Sequence, residues 1–241
     1  MKLIEFIGPT SSGKSTTLDQ LRSISQENIY GHFEYILKFL KVSYNRFTYL
    51  FILHPFLYVS FALGVLRFHY WSFFFKAFIC IINKKRPYPF IIKLKLVNNL
   101  IRTLGAYCFL LFYEVKHKND DVVIIDEGII QLINNIIINF EKKIKIEIWD
   151  KLLAVIPTSF LTQICLFQIS PNTAIQRCLN RKDPAFGKKK LSKTQWLKFI
   201  TNTEKSLTYL QSLKLLDLFV VTTNDSINIK QILDFIEYGN K

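Results

Sequence analysis

The stretch KLIEFIGPTSSGKSTTL, residues 2–18, decides how this chain folds. It begins with an apolar run of β-forming residues at 2–7, passes through a glycine-containing turn and leads into a segment with helical spacing that extends to about Ser25. This order predicts a strand, a tight loop and a helix. The loop carries the pattern Gly-x-x-x-x-Gly-Lys-Ser at residues 8–15.

That pattern is a Walker A motif with a strand before it and a helix after it, which is the context the motif requires. Its glycines let the backbone curl so that successive amide groups point at phosphate oxygens, and the positive end of the helix adds to the attraction. We expect Lys14 to neutralise the β and γ phosphates of ATP and the Ser15 hydroxyl to bind Mg²⁺. The predicted nucleotide-binding residues are Gly8, Pro9, Thr10, Ser11, Ser12, Gly13, Lys14, Ser15 and Thr16.

Strand and helix patterns alternate along the rest of the chain. Apolar runs at 121–126, 161–169 and 217–223 predict strands that are buried on both faces. After the second of these runs, Ser170 is suited to cap a helix and Pro171 to occupy its first turn. The alternation predicts an α/β sandwich of three layers, with a mostly parallel sheet between helices, in a single domain.

Two carboxylates, Asp126 and Glu127, end the strand predicted at 121–126. This is the Walker B arrangement, in which a carboxylate stands at the carboxyl end of a buried strand, where open α/β sheets bind ligands. We expect Asp126 to hold Mg²⁺ or to accept a proton from an attacking hydroxyl, with Glu127 as the competitor for the role of base. The alternative is a solvated turn that contributes only to solubility.

A third candidate element is RCLNRKDPAFGKKK at 177–190. Arg177 and Arg181 are four residues apart, so a helix would place them on one face, and Asp183-Pro184 would end that helix before a basic loop. Arginines that close over a transferring phosphoryl group stabilise its charge, so we expect a catalytic lid. The alternative is a solvated basic helix end.

Composition indicates a folded chain with an anionic partner. Half of the 241 residues are hydrophobic, and 32 Lys and Arg against 18 Asp and Glu leave a net charge of +14. Nucleic acid is an unlikely partner because no nucleic-acid-binding motif accompanies the charge. The four cysteines form no C-x-x-C pair and follow no secretory signal, which favours reduced thiols in the cytoplasm.

The segment 47–82 is unusually apolar and leaves three interpretations open. It can form buried helices or a homodimer face, a surface that contacts a membrane from one side, or a membrane span. His54–Pro55, Arg67 and Lys76 interrupt the run and argue against a span. The basic residues of 83–89 beside the aromatics suit anionic headgroups, so peripheral membrane association through 47–89 remains open.

Taken together, Gly8–Ser15, the strand ending at Asp126, the segment Ser170–Arg181 and the terminal strand and helix resemble the thymidylate kinase and deoxynucleoside kinase branch of P-loop kinases. The resemblance implies that the first motif binds ATP and that the strand-end carboxylate assists metal binding or proton transfer. It also implies that the arginine helix leads into a lid and that the loop at Thr223–Asp225 borders the adenine.

The resemblance covers residues 1–25 and 120–241. Thymidylate kinases usually follow the strand-end Asp with Arg and an aromatic residue, whereas this chain has Glu127-Gly128. Residues 26–120 are interpreted as a helical, aromatic-rich insertion or acceptor-binding region, and they show no nucleoside-kinase pattern. The chain is therefore predicted to be an ATP-dependent phosphotransferase whose acceptor is a nucleotide, a sugar-linked or a lipid-linked molecule. The alternative is a nucleotide-dependent binding module or membrane-associated ATPase.

Overall fold

The computed structural model describes residues 1–25, 28–43, 45–68, 70–83, 90–116, 121–138, 147–158, 163–180, 193–213, 218–222 and 228–238. Over these residues the chain forms one sheet with the strands β1 Lys2–Ile7, β2 Ile29–Gly31, β3 Val122–Asp126, β4 Gln163–Gln168 and β5 Leu218–Thr222. The strands pair in the order β2-β3-β1-β4-β5, and every pairing is parallel. The strand that precedes the Walker A loop is therefore central, with β3 on one side and β4 on the other.

Helices cover both faces of this sheet. They are α1 Lys14–Ile24, α2 His32–Phe39, α3 Arg46–Thr48, α4 His54–Phe68, α5 Trp71–Ile82, α6 Phe90–Lys116, α7 Ile129–Ile138, α8 Glu147–Leu153, α9 Pro171–Leu179, α10 Lys193–Ser212 and α11 Ile229–Tyr238. One π-helical turn, Tyr49–Leu53, joins α3 to α4.

Alternate side chains of the strands fill two separate cores, as the two-residue period of a strand requires. Leu3 and Ile7 of β1 pack with α2, α10 and the helices from α4 to α8. Ile4 and Phe6 face the other way and pack with α1 and α11. The predicted three-layer α/β sandwich is confirmed, and among the described residues its sheet is wholly parallel.

One strand was not expected from the sequence. β2 lies inside 26–120 and pairs with β3 through three residues, Ile29 to Gly31. A three-residue strand is too short to display a two-residue period, so this edge of the sheet had no signal of its own. The apolar segment therefore follows a strand that belongs to the sheet, rather than beginning directly after α1.

Most predicted boundaries agree with the structure to within two residues. The capping of α9 is also as predicted, because the Ser170 side chain accepts a hydrogen bond from the Thr173 amide and Pro171 is the first helical residue. The predicted pairing of Arg177 with Arg181 on one helix face stays a prediction, since α9 ends at Leu179 and Arg181 lies outside the described residues.

The apolar segment 47–82 forms α4, α5 and the turn before them, and α6 packs against both helices. A side chain at Gly105 of α6 would place its Cβ 2.1 Å from the Leu57 carbonyl oxygen of α4, so glycine allows the two backbones to approach closely. The stretch Arg46–Gly64 is long and apolar enough to cross a membrane, a test that core helices of soluble proteins also pass, and 22% of it is buried.

Candidate functional site

The Walker A loop runs from the buried end of β1 to the start of α1 at the carboxyl edge of the sheet. Gly8 has φ 152°, and a Cβ there would lie 2.7 Å from the Phe167 carbonyl oxygen of β4, so only glycine fits. Ser11 and Gly13 adopt left-handed conformations with φ 66° and 100°. These turns produce the curled loop that the sequence predicts.

Side chains of the loop are arranged around its concave backbone. The Lys14 ammonium donates to the carbonyl oxygens of Gly8 and Pro9 at 3.2 and 3.4 Å. The Ser12 hydroxyl is buried and has no hydrogen-bond partner among the described residues. Ser15 and Thr16 are exposed in the first turn of α1. A cation, an orphaned hydroxyl and a helix N-terminus thus converge where the sequence predicts phosphate binding.

A polar network anchors the loop to the neighbouring strand and helix. The Gly8 amide donates to Gln131 Oε1 of α7 at 2.9 Å. The Gln131 amide in turn donates to Glu5 Oε1 at 2.8 Å, and the Ile130 amide donates to Glu5 Oε2 at 3.2 Å. The Glu5 carboxyl group therefore caps the N-terminus of α7 from the adjacent strand.

Glu5 is fully buried, and burial raises its pKa to about 7, with the charge of Asp126 as a minor further cause. The hydrogen bonds from Gln131, Ile130 and Tyr107 act in the opposite direction by stabilising the carboxylate. The residue thus titrates near neutral pH beside the candidate site. Nothing in the sequence analysis singled it out, although a lone acid inside the apolar run KLIEFI was a usable signal.

The raised pKa of Glu5 predicts a pH dependence of stability. A carboxyl group whose pKa rises from 4.5 to about 7 on folding holds its proton more tightly in the folded state. Its contribution is therefore complete below pH 4.5 and is lost as the pH rises to about 7, which lowers the free energy of unfolding by up to about 3 kcal/mol. Urea unfolding at several pH values should show this decline in the wild type. A Glu5→Gln variant with the same decline would contradict the assignment.

Gly128 stands where the thymidylate kinase pattern has an aromatic residue, and its surroundings leave no room for a side chain. A Cβ at Gly128 would lie 2.4 Å from the Glu5 carboxyl carbon and 2.7 Å from the Tyr107 hydroxyl. A larger residue at this position would collide with the group that caps α7. The motif Asp126-Glu127-Gly128 is therefore matched to the buried carboxyl group of Glu5.

Asp126 and Glu127 lie side by side in sequence but in different surroundings. Asp126 is opposite Phe6 in the pairing of β3 with β1, so it ends its strand beside the start of the loop. Its Oδ1 atom is buried without a hydrogen-bond partner in the described part of the chain. Glu127 is exposed and has a left-handed backbone with φ 65°, a conformation that costs a non-glycine residue energy and recurs at functional sites.

Both carboxylates line a cavity of about 90 Å³ on the β3 side of the loop. The opposite wall comes from α2, α6 and the π-helical turn. The polar and aromatic residues of this wall are His32, Phe33, Tyr49, Asn99, Arg102, Thr103 and Tyr107. The cavity therefore combines acids, amides, a cation and aromatic rings next to the candidate phosphate site.

Arg102 is the cationic group of this cavity. Its Nη2 donates to the Tyr49 hydroxyl at 2.5 Å, and its guanidinium lies 5.4 Å from the ring centroids of both Phe33 and Tyr49. Its Nε atom is buried and has no acceptor among the described residues. Arg102 and Asp126 thus line the same cavity, and each carries one buried polar atom without a partner in the described part of the chain.

His32 remains neutral in this environment. Burial, helped by the charge of Arg102, lowers its pKa to about 3. The imidazole therefore adds no positive charge to the cavity at neutral pH. Arg102 is the source of cationic character on this wall.

A larger hollow, of about 300 Å³, lies on the other side of the loop. It is bordered by Pro9, the end of β4 and α10, including Glu204 and Thr208. The smaller cavity is the better candidate for chemistry because the strand-end carboxylates and Arg102 line it.

The helix that carries Arg177 packs against the loop. The Cys178 thiol donates to Ser11 Oγ at 3.2 Å and lies 3.8 Å from the Thr10 carbonyl oxygen. Arg177 stands in the last turn of α9, one residue before this contact. Arg181, the basic loop at 185–190 and Thr223–Asp225 lie outside the described residues, so their roles stay predictions.

The described residues fit a Mg²⁺ site that has few protein ligands. Within the described ranges, no three His, Cys, Asp or Glu side chains form a ready-made metal cluster. Mg²⁺ is commonly held through one or two carboxylates together with substrate phosphates and water, which needs fewer protein ligands. Asp126, whose Oδ1 has no partner among the described residues, and the exposed hydroxyl of Ser15 would be the protein ligands of such a site.

Several residues of the site were missed from the sequence, namely Glu5, His32, Tyr49, Asn99, Arg102 and Gln131. Arg102 had a detectable signal, because it is the only charged residue between Lys95 and Glu114 in an otherwise apolar helix. The amides and aromatics had none, since their roles depend on how α2, α6 and the π-helical turn approach β3.

Comparison with solved structures finds the same overall fold in other proteins. The chain is similar to a deoxyadenosine kinase from M. mycoides with bound dATP, with a TM-score of 0.51, 15% identity and coverage of 98% of this chain and 99% of the other. It also matches a shikimate kinase from Bacteroides thetaiotaomicron with a TM-score of 0.47, 10% identity and coverage of 98% of each chain.

No protein-family model matches the chain. No curated protein matches it either. The structural likeness therefore establishes the fold, and it extends through residues 26–120, where the sequence carries no family pattern.

Proposed function

We propose that this protein is an ATP-dependent phosphotransferase that transfers the γ-phosphate to a hydroxyl group of a small molecule. The observation that carries the proposal is the cavity at the carboxyl end of β3. Asp126 and Arg102 both line it, and each has one buried polar atom without a partner among the described residues. An acceptor with a hydroxyl group and a hydrogen-bond acceptor would find a carboxylate and a guanidinium there as partners.

In this proposal the loop binds the triphosphate through the backbone of Gly8–Gly13 and the N-terminus of α1, and Lys14 neutralises charge on the β and γ phosphates. Ser15 and Asp126 are the residues that would hold Mg²⁺, which supplies further neutralisation of phosphate charge when bound. Arg177 approaches from α9, whose Cys178 contacts the loop. Arg181 completes the proposed lid.

Asp126 is the proposed base for the acceptor hydroxyl, because its carboxylate borders both the loop strand and the cavity. Glu127 is exposed, and we propose that it orients the acceptor and does not act as the base. Phe33, Tyr49 and Arg102 would hold a ring of the acceptor against the α6 side. Nucleosides and nucleotides fit this description, and so do cyclic polyols and sugar-linked compounds.

Loss of the guanidinium should weaken acceptor binding. We expect Arg102→Ala to raise the KM for the acceptor about 10- to 100-fold, because a hydrogen bond to a charged group contributes about 1.5–3 kcal/mol, and to leave the KM for ATP almost unchanged. Arg46→Ala, at an exposed arginine, is the matched control. Steady-state kinetics with both substrates varied will test this. An effect on ATP alone would place the cavity on the donor side.

The identity of the acceptor can be approached by a screen with γ-labelled ATP against nucleosides, nucleotides, sugars and lipid extracts. The proposal predicts that label appears in one acceptor class. The competing function is a nucleotide-dependent binding module that hydrolyses ATP. It would give labelled inorganic phosphate and no labelled acceptor, at a rate that added compounds do not change. For both versions we propose a cytoplasmic location, which the wide spacing of the four cysteines in the sequence favours.

A further inference from the structure

The helices and turn from α3 to the start of α6 expose many apolar side chains, and their charged residues are all basic. We define the basic apolar face as the exposed residues of the π-helical turn and of α3, α4, α5 and the first turns of α6. Its large apolar members are Phe47, Leu50, Phe51, Tyr58, Val59, Leu63, Trp71, Phe75, Ile79, Ile82, Phe90, Ile91 and Leu94. Monomeric soluble proteins rarely expose so many apolar side chains in neighbouring elements, so this face needs a partner.

The exposed residues follow helical stripes whose opposite sides are packed inside the protein. In α5, Phe75 and Ile79 are 50% and 53% exposed, whereas Phe73 and Ala77 are fully buried. In α4, Leu57 is buried against Gly105 of α6. Each helix therefore offers one apolar side outwards while the other side belongs to the core, which is the arrangement of an interfacial surface rather than of a span surrounded by lipid.

The charge of this region has one sign. No Asp or Glu occurs between Glu34 and Glu114, while the same stretch contains Lys38, Lys41, Arg46, Arg67, Lys76, Lys84, Lys85, Arg86, Lys93, Lys95 and Arg102. The positive charge of the chain is thus concentrated in the segment that also exposes the apolar residues. Lys76 and Lys95 are exposed within the stripes themselves.

We propose that the basic apolar face binds the surface of an anionic lipid bilayer. Such a bilayer accepts aromatic and aliphatic side chains at the headgroup boundary and attracts Lys and Arg with its surface potential. A second copy of the chain fits less well, because a two-fold interface would press the same basic patch against itself. Charge complementarity therefore selects the membrane surface over a homodimer.

The π-helical turn connects this face to the candidate acceptor cavity. Tyr49 lines the cavity beside Arg102, and the next two residues, Leu50 and Phe51, are 42% and 66% exposed on the face. A membrane bound here would therefore lie next to one wall of the cavity.

The test uses flotation of the full chain with vesicles of phosphatidylcholine mixed with phosphatidylglycerol, and with vesicles of phosphatidylcholine alone. Each basic residue near an anionic surface contributes about fivefold to affinity, so we expect binding to the anionic vesicles to be at least about 20-fold tighter. The double substitution Lys76→Glu/Lys95→Glu should weaken binding to the anionic vesicles by about the same factor. Lys198→Glu/Lys205→Glu, at exposed lysines of α10, is the matched control and should bind the anionic vesicles more tightly than Lys76→Glu/Lys95→Glu does.

Apolar contact is tested separately. Phe51→Ser/Phe75→Ser removes side chains that are 66% and 50% exposed, and we expect it to weaken vesicle binding at least about tenfold. The control Ile24→Ser/Leu179→Ser removes side chains that are 61% and 54% exposed elsewhere and should bind normally. Thermal unfolding verifies that all variants fold.

Tryptophan fluorescence gives an independent reading. The chain has three tryptophans, and Trp149 and Trp196 are 0% and 4% exposed, whereas Trp71 is 43% exposed on the face. Lipids with brominated chains should therefore quench Trp71, and Trp71→Phe should abolish the quenching. Equal binding by the Phe51→Ser/Phe75→Ser variant and its control would overturn the proposal. So would a dimer in sedimentation experiments that the same variant converts to monomer.

Discussion

Replacement of Lys14 by alanine is expected to lower the rate of phosphoryl transfer at least about 1000-fold, because removing a group that stabilises transition-state charge typically costs a factor of 10² to 10⁵. Lys14 is the cation inside the Walker A loop, where its ammonium donates to the Gly8 and Pro9 carbonyl oxygens. In the proposed reaction this charge is needed most in the transition state, when the γ-phosphoryl group lies between the leaving oxygen of the nucleotide and the attacking oxygen of the acceptor.

The fold should survive this change. Lys14 is only partly buried, and its hydrogen bonds to two loop carbonyls contribute little net stability. Circular dichroism and thermal unfolding of Lys14→Ala should therefore resemble those of the wild type. Lys198→Ala, at an exposed lysine of α10, is a control that should keep full activity. Normal transfer by a well-folded Lys14→Ala protein would remove the loop from the reaction.

The second large effect is expected at Asp126. We predict that Asp126→Asn lowers kcat by about 10² to 10⁴, the range over which a positioned base contributes. Asparagine preserves the shape of the side chain at the end of β3 but cannot take a proton. Since Oδ1 of Asp126 has no partner in the described structure, the substitution breaks no hydrogen bond seen there and should leave stability nearly unchanged.

Glu127 provides the matched comparison. Its side chain is exposed, so Glu127→Gln should stay within about tenfold of the wild type if Asp126 is the base. Magnesium titration separates the two roles of Asp126. A rate that excess Mg²⁺ restores would show that Asp126 acts through metal binding alone and would contradict its role as base, whereas a loss that Mg²⁺ does not restore is expected if it also takes the proton. A larger effect at Glu127 than at Asp126 would reverse the assignment.

The parts of the fold that local pattern encodes were predictable. The loop at 8–15 and the apolar runs that became β3, β4 and β5 each carry their own signal, and their alternation with helices leaves few topologies. The cap at Ser170 was predictable for the same reason. In each case neighbouring residues in sequence determine the structure.

The acceptor side of the site was not predictable because it depends on tertiary contacts. Arg102 and Asp126 come to line one cavity through the packing of α6, whose Gly105 is in close contact with α4. Glu5 acquires a role only because α7 begins beside β1 and presents the amides of Ile130 and Gln131 to its carboxyl group. No local period or spacing records either approach.

The insertion illustrates a different limit of sequence reasoning. Hydropathy correctly marked 47–82 as unusual, but it could not separate a core from a surface, because both interpretations need the same apolar residues. The structure divides them: Phe73 and Ala77 face the core and Phe75 and Ile79 face outwards. What covers the outward side is the subject of the vesicle experiments.

The most direct test of the proposed function follows the fate of the γ-phosphate. Wild-type protein, Lys14→Ala and Asp126→Asn are each incubated with γ-labelled ATP, Mg²⁺ and pooled small-molecule acceptors, and the products are separated as labelled acceptor and inorganic phosphate. The proposal predicts a labelled, phosphorylated acceptor with the wild type and its loss with both variants. Label released only as inorganic phosphate, or a labelled acceptor formed equally by Lys14→Ala, would contradict it.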